Sequence, residues 1–487
     1  MKGIKRLICS IIILLSISSS MVVYASANYN SYTYNEWDES VAAPDSYIAT
    51  SGKTGILLGC GVLNGPQDMY MKENGELYIA DTGNNRLVVV DKDLNLIQTI
   101  DSVMNQGVEE KLTDPQGLFI NSEGTIYISQ PSLARVILVK DGQVISTIEK
   151  PKHNLIAEDF VFVPTKIGVD LYGRVYILSK GCYTGLLQFD VNGKFMAFFG
   201  ANKVEITATV LFQYMWKNIL SDAQRNAMTS ILPIEYSNID CSLDGFVYTS
   251  TVGTSSPYNQ IKKLNPLGNN TYFKQGKELI NFGDKERSYN NANAVDSSFI
   301  DIKVDSEGFI YGLDNTRGRI FERDQEGNLI AVFGGLGNQL GTFSTACAIE
   351  VYKGQVYVLD SLKNNVVLFE PTEYEILVKE ASLQYQEGQY QESVETWKQV
   401  LKRNSNNTLA YKGLGKALSQ NGNYQEAMKY LQDGGDRYGY SRSYSKMRLE
   451  VIRNYASAIA IGFVLLILVI NVWKRLGKIR RNRRNVS

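Results

Sequence analysis

The chain has 487 residues, and its 50 Lys plus Arg are balanced by 50 Asp plus Glu. That length exceeds one ordinary domain and calls for two or three, and the zero net charge excludes a global electrostatic footprint for nucleic acid. A single histidine, His153, excludes His-rich metal sites, argues against a His-based triad and reads as a loop residue. Of five Cys, Cys9 falls in a segment read as removed, and Cys60, Cys182, Cys241 and Cys347 show no C-x-x-C or metal-ligand spacing. The 30 Tyr suit strand faces and also sugar- or peptide-binding surfaces.

Lys2, Lys5 and Arg6 precede an apolar run from Leu7 to Ile17, and Ala25-Ser26-Ala27 offers small residues for cleavage. Residues 1–27 therefore read as a secretory signal peptide, too short in its apolar part to span a bilayer. Residues 28–45 read as a polar, Tyr-rich leader.

From residue 46 to 372 the chain repeats. Gly75, Gly124, Gly173, Gly245, Gly308 and Gly354 each open an alternating run: ENGELYIAD, SEGTIYISQ, LYGRVYILS, LDGFVYTST, SEGFIYGLD and YKGQVYVLD. Gly supplies the positive φ of a tight turn, and the alternation predicts a half-buried strand. Six such units, each of about four short strands, predict a six-bladed β-propeller, because only a closed ring buries both faces of every blade. The last unit lacks an outer strand of its own, and Ser46-Tyr47-Ile48-Ala49-Thr50 is placed to supply it. The longest gap between turn glycines contains residues 201–233, which read as a helical insertion, either functional or a plug over one face.

The segment Asn74 to Arg86, NGELYIADTGNNR, resembles an NHL repeat. Only the first unit carries the full D-x-x-N-x-R ending; the second has Ser129-Gln130 and the third Ser179-Lys180. Other six-bladed propellers that this chain resembles are gluconolactonase-like and paraoxonase-like lactonases, which hold a divalent cation in the central channel. Eight residues before each turn Gly, where that pattern puts ligands, stand Gln67, Gln116, Thr165, Ser237, Ile300 and Ala346. One place later come Asp68, Gly117, Lys166, Asn238, Asp301 and Cys347. Asp68, Lys166, Asn238 and Asp301 are thus the expected ligand-binding residues of the channel mouth, or else strand-capping residues. If the lactonase resemblance extends to chemistry, Asp68, Asn238 and Asp301 would hold Ca2+, with Lys166 opposing it.

From Glu373 the period turns helical. Gly388-Gln389-Tyr390-Gln391-Glu392-Ser393 is echoed 34 residues on by Gly422-Asn423-Tyr424-Gln425-Glu426-Ala427. Residues 373–454 resemble tetratricopeptide repeats, with Trp397 and Leu431 at matching core positions and Gly415 and Ala417 in a close-packed helix. This unit reads equally as a peptide-binding groove or a stiff spacer. Residues 455–473 predict a transmembrane helix, since 18 residues of its apolar part span about 27 Å. Residues 474–487 form a basic tail, which predicts a cytoplasmic C-terminus against anionic lipid and an exported N-terminus.

The sequence thus predicts a mainly β protein with an α-helical appendage: propeller, short helical repeat unit and membrane helix. The expected function is non-enzymatic, a surface scaffold without a cofactor that recognises a protein partner or an envelope glycan and no nucleic acid. The alternative is a divalent-metal-dependent lactonase or related sugar-processing enzyme. An Asn-, Ile-, Lys- and Tyr-rich composition points to a Gram-positive bacterial surface.

Overall fold

The computed structural model describes residues 27–35, 37–201, 235–252, 260–272, 280–284 and 297–484. The predicted export signal, apart from Ala27, and the predicted insertion, apart from Ala201, lie outside the described residues.

Six antiparallel sheets form the ring. Blade 1 holds Asp68–Met71, Leu77–Asp81, Arg86–Val90 and Leu96–Ile100. Blade 2 holds Leu118–Ile120, Ile126–Gln130, Arg135–Lys140 and Gln143–Glu149. A hairpin that the alternation did not announce, Ser102–Asn105 with Val108–Lys111, extends its outer edge through a parallel pairing. Blade 3 runs Pro164–Val169, Val175–Ser179, Leu186–Phe189 and Phe195–Phe199. Blade 4 has three strands among the described residues: Tyr236–Cys241, Val247–Thr251 and Ile261–Leu264. Blade 5 runs Phe299–Val304, Ile310–Asp314, Arg319–Arg323 and Leu329–Gly334. Blade 6 holds Ala346–Tyr352, Gln355–Asp360 and Asn365–Pro371, and Tyr47–Thr54 from before blade 1 completes it. That closing strand pairs Thr54 with Asn365 and Tyr47 with Pro371, so the two ends of the propeller are stitched by backbone hydrogen bonds.

Alternation explains why the ring must close. In blade 1, Ile79 and Val88 pack with Tyr357, Leu359 and Val366 of blade 6. Their neighbours Tyr78, Ala80, Leu87 and Val89 pack the other way, onto Leu118, Ile128 and Ile137 of blade 2. Each blade buries both faces only when it has a neighbour on each side.

The D-x-x-N-x-R ending of blade 1 is a structural lock. The fully buried Asp81 accepts hydrogen bonds from Asn84 Nδ2 at 2.8 Å, Arg86 Nε at 2.7 Å and the Asn64 amide at 2.8 Å. Gln130 takes the same place in blade 2 and accepts from Arg135 Nε at 2.8 Å.

The polar, Tyr-rich leader packs on the propeller. Tyr32–Tyr34 pairs with Ser40–Ala42, and the buried Tyr32 and Tyr34 donate to Asp284 at 3.1 and 2.6 Å, where Arg317 and Arg319 also converge.

Four helices follow: α1 (Glu373–Gln386), α2 (Tyr390–Arg403), α3 (Thr408–Gln420) and α4 (Tyr424–Asp433). Thr372 caps α1 by accepting from the Glu375 amide, and Asn407 caps α3 through the Ala410 amide. Trp397 and Leu431 are buried as the repeat predicts. A Cβ on Gly415 would meet Leu431 Cγ at 2.5 Å, which is why the helices cross on glycine there. A fifth helix, α5 (Arg437–Arg484), packs its first turns on α4, with Ser443 Oγ 2.9 Å from Ser419 Oγ of α3, and then runs on. Its Arg437–Lys478 portion is long and apolar enough to cross a membrane, and its apolar window is wholly unburied by protein. This is consistent with a single-pass membrane protein.

Candidate functional site: the propeller channel

The inner strands of all six blades line one narrow channel, and Asp68, Lys166, Asn238 and Asp301 all face it. In blades 1, 3, 4 and 5 the channel-facing residue stands one place after the lactonase ligand position, in blade 1 without any bulge. The inner strands of blades 3, 4 and 5 bulge at Thr165, Ser237 and Ile300, and the next residue turns inward. Blade 6 departs from the count. Its hairpin is a two-residue turn, Lys353-Gly354, with φ of 48° and 81°. The shortened turn moves the register by one, so Cys347 sits in the bulge and Ala348 takes the place expected for it.

The channel's charged groups form two tiers. In the first, Lys166 Nζ donates to Asp68 Oδ1 and also feels Asp301. Asp68 Oδ2 accepts the Leu118 amide of blade 2 at 2.9 Å, and Asp301 Oδ2 accepts the Ile349 amide of blade 6 at 2.8 Å. Asn238 Oδ1 accepts the amide of Ile239 at 2.7 Å. In the second tier, Lys303 Nζ lies 3.4 Å from Asp240 Oδ1 and 3.1 Å from Glu350 Oε2, and 5.2 Å from the centre of the Tyr70 ring. Asp240 Oδ2 in turn accepts the Val304 amide at 2.7 Å. Three acids therefore fasten their own blade to the next one.

The second tier was missed by sequence reasoning, although a signal for most of it existed. Tyr70, Asp240 and Lys303 stand two residues beyond Asp68, Asn238 and Asp301, so strand alternation puts them on the same face. Glu350 was hidden by the shortened turn of blade 6.

Burial sets the protonation of these groups. Desolvation, only partly offset by Lys166, pushes Asp301 up to about 7. Desolvation likewise pushes Glu350 up to about 8 against the pull of Lys303. Asp68 is raised for the same first cause. Burial pulls the ammonium of Lys166 down, but Asp68 and Asp301 outweigh it and hold it above the ordinary lysine range. Four acids face two lysines, and the protons that burial keeps on Asp301 up to about pH 7 and on Glu350 up to about pH 8 reduce the excess of negative charge.

The channel is also tight. At Gly117, the blade 2 position of the first tier, a Cβ would meet the Thr165 carbonyl oxygen at 2.3 Å. At Gly168 it would meet Cys241 Sγ at 3.0 Å. Among the described residues no group of three or more His, Cys, Asp or Glu is placed to hold a metal ion. A cation using Asp68, Asn238 and Asp301 would have to displace the ammonium of Lys166 and compete with backbone amides for all three. The four described cysteines are free thiols.

The helical unit meets the propeller through α1 and α3. Lys379 Nζ of α1 lies 3.0 Å from Asp305 Oδ2 of blade 5, Lys416 of α3 lies 3.0 Å from Glu326, and Thr408 Oγ1 donates to the Tyr34 carbonyl at 2.9 Å. Tyr374, Val378 and Ala381 of α1 share one apolar core with Phe309, Leu313 and Phe369 of the propeller.

The strand order and helices define a class: a six-bladed β-propeller carrying tetratricopeptide-type helices and one helix fit to span a membrane. Residues 384–442 match the tetratricopeptide repeat family. The propeller is similar to virginiamycin B lyase from Staphylococcus aureus, at 9% identity, covering 67% of this chain and 100% of that one with a TM-score of 0.41. It is similar to a streptogramin B lyase at 11% identity, 64% and 95% coverage and a TM-score of 0.39. It is also similar to a gluconolactonase family member at 10% identity, 66% and 92% coverage and a TM-score of 0.37. No curated protein matches the chain.

Proposed function

We propose that the protein is a membrane-anchored, extracytoplasmic scaffold that recognises a protein partner or an envelope glycan through its propeller and its helical repeats. The observation that supports this most is the fusion itself. A propeller and a tetratricopeptide-type unit share one apolar core and continue into one helix fit to span a membrane. In this reading residues 1–27 export the chain, the basic tail rests on anionic lipid in the cytoplasm, and the cell is Gram-positive. Asp68, Lys166, Asn238 and Asp301 would contact a ligand at the channel mouth, and no cofactor is needed. The test is chemical crosslinking in cells followed by purification of the full-length protein from detergent-solubilised membranes. One stoichiometric partner, or direct calorimetric binding of purified envelope polysaccharide, supports the scaffold; the absence of both overturns it. A single engineered surface cysteine in blade 2, labelled by a membrane-impermeant reagent on whole cells, tests the orientation.

The second reading is a Ca2+-dependent sugar lactonase using Asp68, Asn238 and Asp301. Exclusion of Lys166 from the site is its physical requirement. Lactone turnover that needs Ca2+ and disappears in Asp301→Asn would replace the scaffold reading with this one.

A further inference from the structure

We propose that Glu322 and Glu375 share one proton, and that this proton couples the docking of the helical unit on the propeller to the pH of the compartment holding them. Glu322 lies on the third strand of blade 5 and Glu375 in the first turn of α1, and both are 0% exposed. The two carboxyls face each other across the junction. None of their four oxygens accepts a hydrogen bond of good geometry, although the hydroxyls of Tyr311 and Tyr47 stand beside Glu322 and that of Ser46 beside Glu375. The ammonium beside the pair, Lys379, is shared: its Nζ is 3.0 Å from Asp305 Oδ2, 2.9 Å from Tyr311 Oη and 3.5 Å from Glu322 Oε1, so one charge is divided between two acids and Glu375 has no cation of its own.

Every element packed here adds to the case. Blade 5 contributes Asp305 and Tyr311, with the half-exposed Glu307 at 3.9 Å from Lys379. The closing strand brings Tyr47, whose hydroxyl is 3.3 Å from that of Tyr311, and Ser46 stands beside Glu375. From α1 come Lys379 and Tyr374, the latter bound by Asn404 and Asn407. Buried acids outnumber the single ammonium, and two facing carboxylates cannot both ionise without water. One proton between them supplies the missing donor and removes one charge. Desolvation first, then the charge of Glu322, holds Glu375 well above the usual carboxylate range; desolvation likewise raises Glu322.

The sign follows by linkage. The folded pair keeps a proton that an unfolded Glu releases near about pH 4.3, so docking is strongest at acid pH and weakens as pH climbs through the folded value. The proposal needs no partner and stands apart from the scaffold reading.

The test is hydrogen exchange of the full-length protein in detergent, from about pH 5 to about pH 9, read over α1 and Arg319–Gly334. Wild type is compared with Glu375→Gln at each pH, which cancels the intrinsic exchange rate. Gln donates a hydrogen bond without titrating. Protection of wild type relative to the variant should fall by up to about tenfold per pH unit and then level off. A ratio that stays flat overturns the proposal. If Glu375→Gln does not fold, Glu322→Gln replaces it. If neither folds, the wild-type urea midpoint of the helical unit decides, and a midpoint independent of pH overturns the proposal.

Discussion

The channel and the junction both bury more carboxyl groups than ammonium groups, yet they handle the excess differently. In the channel, Asp68, Asp301 and Asp240 each accept a backbone amide of the next blade, and Lys166 and Lys303 stand among them. The charges there lace neighbouring strands together. At the junction, Glu322 and Glu375 receive no such amides, and the one ammonium of Lys379 is shared among Asp305, Tyr311 and Glu322. A ring needs stiff contacts repeated at each blade. A junction between two folding units offers no periodic amides to its acids, so a proton has to do that work.

The comparison breaks most visibly at Lys303. Lys303→Met leaves Asp240 and Glu350 facing each other without a cation, and the expected loss is about 3–5 kcal/mol by urea unfolding at neutral pH. The loss should hold steady from neutral pH down to about pH 5, where Glu350 keeps its proton with or without Lys303, and should grow as pH rises through about 8, where only wild type can ionise Glu350 beside a cation. A loss that shrinks between neutral pH and about pH 5 would mean that Glu350 is ionised at neutral pH.

Gly117→Ala tests the tightness of the ring by itself. The added methyl meets the Thr165 carbonyl and the Cα of Lys166, so about 1–3 kcal/mol of stability should go in thermal unfolding, with no change in pH dependence.

Asp301→Asn with Glu350→Gln sharpens the protonation argument. Both acids keep protons in the folded channel beyond the values of an unfolded chain, so wild-type stability should fall as pH rises toward about 7 and about 8. The double variant should flatten that slope and overtake wild type at alkaline pH. A steeper slope in the variant would refute the assignment. Calorimetric melting at several pH values reads it directly.

The smallest effect is expected far from either cluster. Ser443→Ala removes a buried hydroxyl pair that fastens α5 to α3, for about 0.5–1.5 kcal/mol. Its consequence should be local: faster exchange in the first turns of α5 and none in the propeller.

Much of the architecture was legible because it is written in local periods. Alternation after a turn glycine names a strand, six repeats name the ring, and the lack of an outer strand after Asn365–Pro371 points back to residues 46–50. The shift from period two to a helical period at Glu373 names the appendage. The first channel tier was legible too, since Asp68, Lys166, Asn238 and Asp301 occupy one repeat position. Glu350 was lost because a two-residue turn changed the count, and the Ser102–Lys111 hairpin because it belongs to no repeat.

The sequence by itself determined the elements and their order, because turn glycines, alternation and helical spacing act within a few residues. Only the tertiary structure decided which charges meet. Lys166 lies 98 residues from Asp68, and Lys379 lies 74 from Asp305. No local pattern encodes such pairs. They come from the closure of the ring and the seating of α1, and desolvation then sets which carboxyls keep their protons.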